Sequence, residues 1–82
     1  MNTDKQYTLE LMDHLLALNT PDEMEQALRA LLTPAEFSEV IKRLQIFKML
    51  GQGVPQRQIA ETLGVGIATV TRGSRALKAD ES

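Results

Sequence analysis

Residues Gln56–Lys78 read QRQIAETLGVGIATVTRGSRALK, and this stretch decides the fold. Ile59 and Leu63 are apolar and four apart, so they share the inner face of a first helix. Ala60 is small where a second helix must approach closely. Gly64 stands where a tight turn needs positive φ, which glycine adopts at no steric cost. Val65 plugs the core just after the turn, and Val70 anchors the second helix from beneath. A small residue, a glycine four later and an apolar residue six after that suit two helices that cross steeply through a short turn. The pattern predicts helices over about 55–62 and 67–78, joined as a helix-turn-helix.

The other face of the second helix carries the chemistry. Ile67, Ala68, Thr71 and Arg75 lie on one side at helical spacing. Short apolar and hydroxyl side chains suit thymine methyls and base edges in a major groove. Thr69, Arg72, Ser74, Arg75 and Lys78 can donate to phosphates along the flanks. Backbone N–H groups at Gly66 and Ile67 open the helix and add to this. Arg57, early in the preceding helix, can reach a guanine or the DNA backbone. No acidic residue occurs from Gly64 to Ala79. The competing reading is a helical hairpin that binds protein and not DNA. Gly73 is unusual, because a glycine inside a helix costs about 1 kcal/mol against alanine. Either another backbone packs against it or the notch holds a ligand.

Upstream, helix punctuation is legible. Thr20-Pro21-Asp22-Glu23 and Thr33-Pro34-Ala35-Glu36 share one logic: threonine caps, proline takes the first helical position, and glutamate completes a capping box. Thr3-Asp4-Lys5-Gln6 is a weaker version, so helices start near residues 4, 21 and 34. Leu11, Met12, Leu15, Leu16 and Leu18 make one face of the first helix, and Met24, Ala27, Leu28, Leu31 and Leu32 one face of the second. The third carries Phe37, Val40, Ile41 and Leu44, then Ile46, Phe47, Met49 and Leu50. A helix apolar around so much of its circumference is central or shared with a second chain. Gly51-Gln52-Gly53-Val54-Pro55 ends it, with Pro55 at the start of the next helix. The expected fold class is all-α: about five helices in a single domain over residues 1–82, with dimerisation helices over 1–50 and the helix-turn-helix over 55–78.

Composition narrows the function. The net charge of −2 hides an asymmetry: residues 1–40 hold two basic against eight acidic residues, net −6, and residues 41–82 hold seven basic against three acidic, net +4. A basic C-terminal half suits a phosphate-bearing partner. The 82-residue chain has no cysteine, so disulfides and thiolate metal sites are excluded. No apolar run reaches the roughly 20 residues that span a bilayer, and the polar opening MNTDKQYTLE is no secretory signal, so a cytoplasmic protein is expected. His14 is the sole histidine and has no triad or ligand partner, and there is no glycine-rich phosphate loop. Neither an enzyme nor a metal site is expected.

The residues resemble the tryptophan repressor family. The segments that carry the resemblance are Leu32-Thr33-Pro34-x-Glu36, Arg43, Gln56-Arg57, and above all Leu63-Gly64-x-Gly66-Ile67-Ala68-Thr69-Val70-Thr71-Arg72-Gly73-Ser74, ending with Leu77-Lys78. The likeness covers residues 32–78, and residues 1–31 share only the helical layout. It implies an intertwined homodimer whose two reading heads enter successive major grooves of a palindromic operator, about 34 Å apart. It implies a repressor of tryptophan-related genes with L-tryptophan as corepressor. Arg43 and Arg72 would flank the indole, Gly73 would leave room for it, and the backbone at Leu32 and Thr33 of the partner subunit would meet its amino group. Four departures stand out. The bridge from Gly53 to Arg57 is one residue shorter than in the longer repressors, Ala76 stands where a serine near the ligand is expected, the N-terminal arm is shorter, and the final helix of the longer repressors is expected to be absent after Lys78. Two further readings stay open: a helix-turn-helix regulator with another ligand or none, and a helical protein-interaction module.

Overall fold

The computed structural model describes residues 3–81, with side chains described to residue 78. Five helices follow in order, α1 (Thr3–Leu16), α2 (Pro21–Leu31), α3 (Pro34–Gly51), α4 (Gln56–Leu63) and α5 (Ile67–Glu81), and no strand occurs among the described residues. The fold is all-α. Two compact units divide between Phe37 and Ser38.

In the N-terminal unit, local hydrogen bonds set the helix starts. Glu23 N–H donates to Thr20 Oγ1 at 3.1 Å, and the Glu23 carboxylate accepts from Asn19 N–H at 2.9 Å, one residue further back than in a standard capping box. At α3 the box is complete: Glu36 N–H donates to Thr33 Oγ1 at 3.1 Å, and Thr33 N–H donates to Glu36 Oε1 at 2.8 Å. Arg29 on α2 pairs with Glu25 at 2.8 Å and lies 4.3 Å from the centre of the Phe37 ring, so one guanidinium ties the end of α2 to the start of α3. Neither α1 nor α2 has a buried residue. Leu18, expected on the first helix, lies beyond it, because the chain leaves α1 after Leu16.

The C-terminal unit holds the core. Ile46, Ile59, Ala60 and Val70 are its buried apolar residues, with Met49, Leu50, Val54, Leu63 and Val65 packed around them. The second half of α3 therefore packs with the helix-turn-helix. Two glycines turn the chain. Gly53 adopts φ 81°, with Gly53 N–H donating to the Leu50 carbonyl and Val54 N–H to the Met49 carbonyl, each at 3.0 Å. That is the paired bonding of a Schellman stop, and Val54 and Met49 both pack against the core. Gly64 adopts φ 67°, and both its own N–H and that of Val65 reach the Ala60 carbonyl. Pro55 caps α4 from outside the helix, at ψ 146°, where the sequence placed it as the first helical residue. Its carbonyl still accepts the first bond, from Ile59 N–H at 3.0 Å.

Candidate nucleic-acid interface and adjoining cleft

The α5 helix has three kinds of surface, and the turn of about 100° per residue separates them. Val70 and Gly73 are buried and Leu77 is half-buried, so they form the inner stripe. Ile67, Ala68, Thr71, Arg75 and Lys78 lie within one arc on the opposite side. Ile67, Ala68, Arg75 and Lys78 are exposed, Ile67 at 53% although it is a large apolar residue. Thr71 is half-buried, because its hydroxyl lies 3.0 Å from Gln56 Oε1 on α4. Ser74 is half-buried at the margin of this arc, and Arg57 is exposed at the second position of α4.

Thr69 and Arg72 occupy the third surface. They line a cleft of about 460 Å³ against α3, together with Val65, and Arg72 Nη2 donates to Thr69 Oγ1 at 3.3 Å. From α3 the cleft receives Ser38, Glu39, Lys42, Arg43 and Ile46. Glu39, Lys42, Arg43 and Ile46 follow i, i+3, i+4, i+7 spacing, so they form one stripe along that helix. Among the described residues, none pairs with Glu39, Lys42 or Arg43 in an ion pair or side-chain hydrogen bond. Three cations and one carboxylate thus face a single cleft with an apolar floor of Ile46 and Val65. Among the described residues no cluster of His, Asp or Glu could hold a metal ion.

The structure brings Arg43 and Arg72 together on this cleft, and it places Thr69 there too, away from the arc of Ile67 and Arg75. Leu32 and Thr33 belong to the N-terminal unit, where Leu32 caps the end of α2 and Thr33 caps the start of α3. Gly73 does not line the cleft. Its notch is filled by a side chain, an occupant the sequence reading did not offer: a Cβ at Gly73 would lie 2.9 Å from Ile46 Cγ2. Gly73 thereby lets α5 close onto α3. Gly73→Ala should therefore lose about 1 kcal/mol, because overpacking costs about 1–3 kcal/mol and the gain in helix propensity returns about 1. Urea unfolding checks this, and Ile46→Ala with Gly73→Ala should cost less than the sum of the two single changes.

Gln56, Glu39 and Lys42 are residues to which sequence reasoning gave no role. Gln56 entered only as part of the family resemblance, since its partner Thr71 is met only once the two helices cross. Glu39 and Lys42 were signalled by their spacing from Arg43, once α3 is wound as a helix.

These features define an all-α helix-turn-helix protein with a cleft of about 460 Å³ between α3 and α5. The chain belongs to the Trp repressor protein family, whose model matches residues 6–82. The match extends well before residue 32, so the helices of the N-terminal unit are part of the family's pattern. The family is one of DNA-binding transcriptional regulators and not of enzymes. No curated protein and no solved structure matches the chain. No helix among the described residues is long and apolar enough to cross a membrane.

Proposed function

We propose that this protein is a homodimeric repressor that acts in the cytoplasm on tryptophan-related genes and binds L-tryptophan as corepressor. Each α5 enters the major groove of one half of a palindromic operator, with Ile67, Ala68, Thr71 and Arg75 toward the bases and Arg57, Ser74 and Lys78 toward phosphates. The observation that carries the reading is the cleft directly behind this helix, where Arg43 and Arg72 meet across an apolar floor. Its volume falls within the roughly 300–1,000 Å³ usual for small-molecule sites. An amino acid with a large flat side chain suits it. Arginine faces stack on an aromatic ring, the cations hold the carboxylate, and Glu39 together with the backbone at Leu32 and Thr33 of a second copy faces the ammonium. A ligand wedged between α3 and α5 fixes the angle of α5, and the two reading heads reach successive grooves only at one angle.

Apolar exposure supports the dimer. Val40, Ile41 and Leu44 on α3 and Leu9, Leu11 and Leu16 on α1 are all exposed in the single chain. A second copy covers such surface.

Fluorescence of added L-tryptophan tests the ligand, since the protein has no tryptophan of its own. A saturable change that disappears in Arg43→Ala and Arg72→Ala is the expected result. No change from a folded dimer would overturn it. A second reading, a regulator that needs no ligand, is favoured by Ile46, which already fills the notch at Gly73. That reading expects no fluorescence change and full DNA affinity without ligand.

A further inference from the structure

We propose that Gln56 is a positioning residue that fixes the hydrogen-bonding state of Thr71, and so decides which base feature the reading helix meets there. The inference rests on α5 reading DNA as argued above. Thr71 Oγ1 lies 3.0 Å from Gln56 Oε1 and also 3.0 Å from the Ile67 carbonyl oxygen. A hydroxyl has one proton and two lone pairs, so it cannot donate to both. If it donates to Gln56 Oε1, the contact with Ile67 has no hydrogen in it. If the Gln56 carboxamide is turned over, its Nε2–H donates to Thr71 Oγ1 and Thr71 donates to the Ile67 carbonyl. The second arrangement makes two bonds where the first makes one. The pair is part-buried, which raises the cost of an unmade bond. Thr71 therefore spends its proton inside the protein, and what it still presents to a base is its methyl and an accepting lone pair, with no donor.

The consequence is a base preference. Purine N7 and O6 require a donor, and thymine presents a methyl to the major groove. Thr71 so held favours thymine and is blind to purine acceptors. Gln56 exerts this effect across the helix-turn-helix from α4, and a purely structural Gln56 would affect all DNA sequences alike.

The test starts with selection of bound sequences from randomised duplex by the intact protein. Affinities are then measured for the selected site and its single base-pair variants, using wild type, Thr71→Val, Thr71→Ser, Gln56→Ala and the double variant Gln56→Ala with Thr71→Ser. Thr71→Val keeps the methyl and should hold the thymine preference within about twofold. Thr71→Ser removes one methyl and should lose about fourfold at a single base pair in each half-site, the factor for roughly 0.8 kcal/mol per buried carbon. Gln56→Ala should lose preference at that same base pair, and the double variant should do no worse than Thr71→Ser. A Thr71→Val protein as unselective as Thr71→Ser would overturn the inference, since the hydroxyl and not the methyl would then be making the contact with the base. An even loss across all sequences in Gln56→Ala would overturn it too. If Gln56→Ala does not fold, the comparison of valine with serine at Thr71 decides the matter alone. A wild type that selects no sequence overturns the DNA reading itself, and this inference with it.

Discussion

Leu44→Glu is expected to abolish the dimer and most of the fold at micromolar concentration. Leu44 is 55% exposed in the single chain, with Ile41 and Val40 exposed beside it on α3. A monomer gains nothing from this stripe. The buried apolar residues are Ile46, Ile59, Ala60 and Val70, all in the C-terminal unit, and α1 and α2 bury none. Such a core is too small to offset the ordering of about 80 residues at roughly 1–2 kcal/mol each. The missing burial is sought at the contact with a second copy, where one Leu44→Glu change places two charges in apolar surroundings. A charge left unpaired there costs several kcal/mol. Because an obligate dimer's stability depends on its concentration, the wild-type melting temperature should rise with protein concentration. Sedimentation velocity and circular dichroism check both points. A Leu44→Glu protein that stays folded with an unchanged melting temperature would contradict the dimer.

Ile59→Ala should cost about 2–5 kcal/mol, the range for removing most of a buried isoleucine. Ile59 is fully buried, with Ile46 to one side and Val70 beyond the turn, so a cavity here cannot fill from solvent-facing side chains. Small domains are stable by only about 5–15 kcal/mol in total. The change should therefore bring the urea midpoint down by about a third at mid-range values and weaken DNA affinity through disorder of α4 and α5. A midpoint within error of wild type would mean that Ile59 is not part of the stabilising core.

The helix-turn-helix was legible in the sequence because each of its positions is fixed by a local demand. Ala60 is small at the crossing, Gly64 has positive φ, and Ile59 and Val70 are wholly buried. The capping boxes were legible for the same reason: threonine, proline and glutamate act within one turn. Pro55 was misplaced by one residue, since the fixed φ of proline suits both the cap and the first helical position, and only ψ tells them apart. Gly73 marked a close approach, but the sequence could not name Ile46 as the neighbour, because that contact depends on how α3 lies against α5. Glu39 and Lys42 were legible in principle, since i, i+3, i+4 spacing places them on one stripe with Arg43. The apolar run of α3 pointed to a central or shared helix. Within one chain it is only partly buried, and that is what turns attention to a second copy.

The central claim is that α5 presents its acid-free face to DNA. It is tested most directly by the affinity of the intact protein for duplex DNA as salt rises from about 50 to 200 mM. With six to ten phosphate contacts per dimer, affinity should fall by roughly 10³–10⁵ over that range. The slope should lessen when Arg57 and Lys78 are both replaced by alanine. No measurable duplex affinity at the lowest salt, from a folded dimer, would contradict the account and leave a helical protein-interaction module in its place.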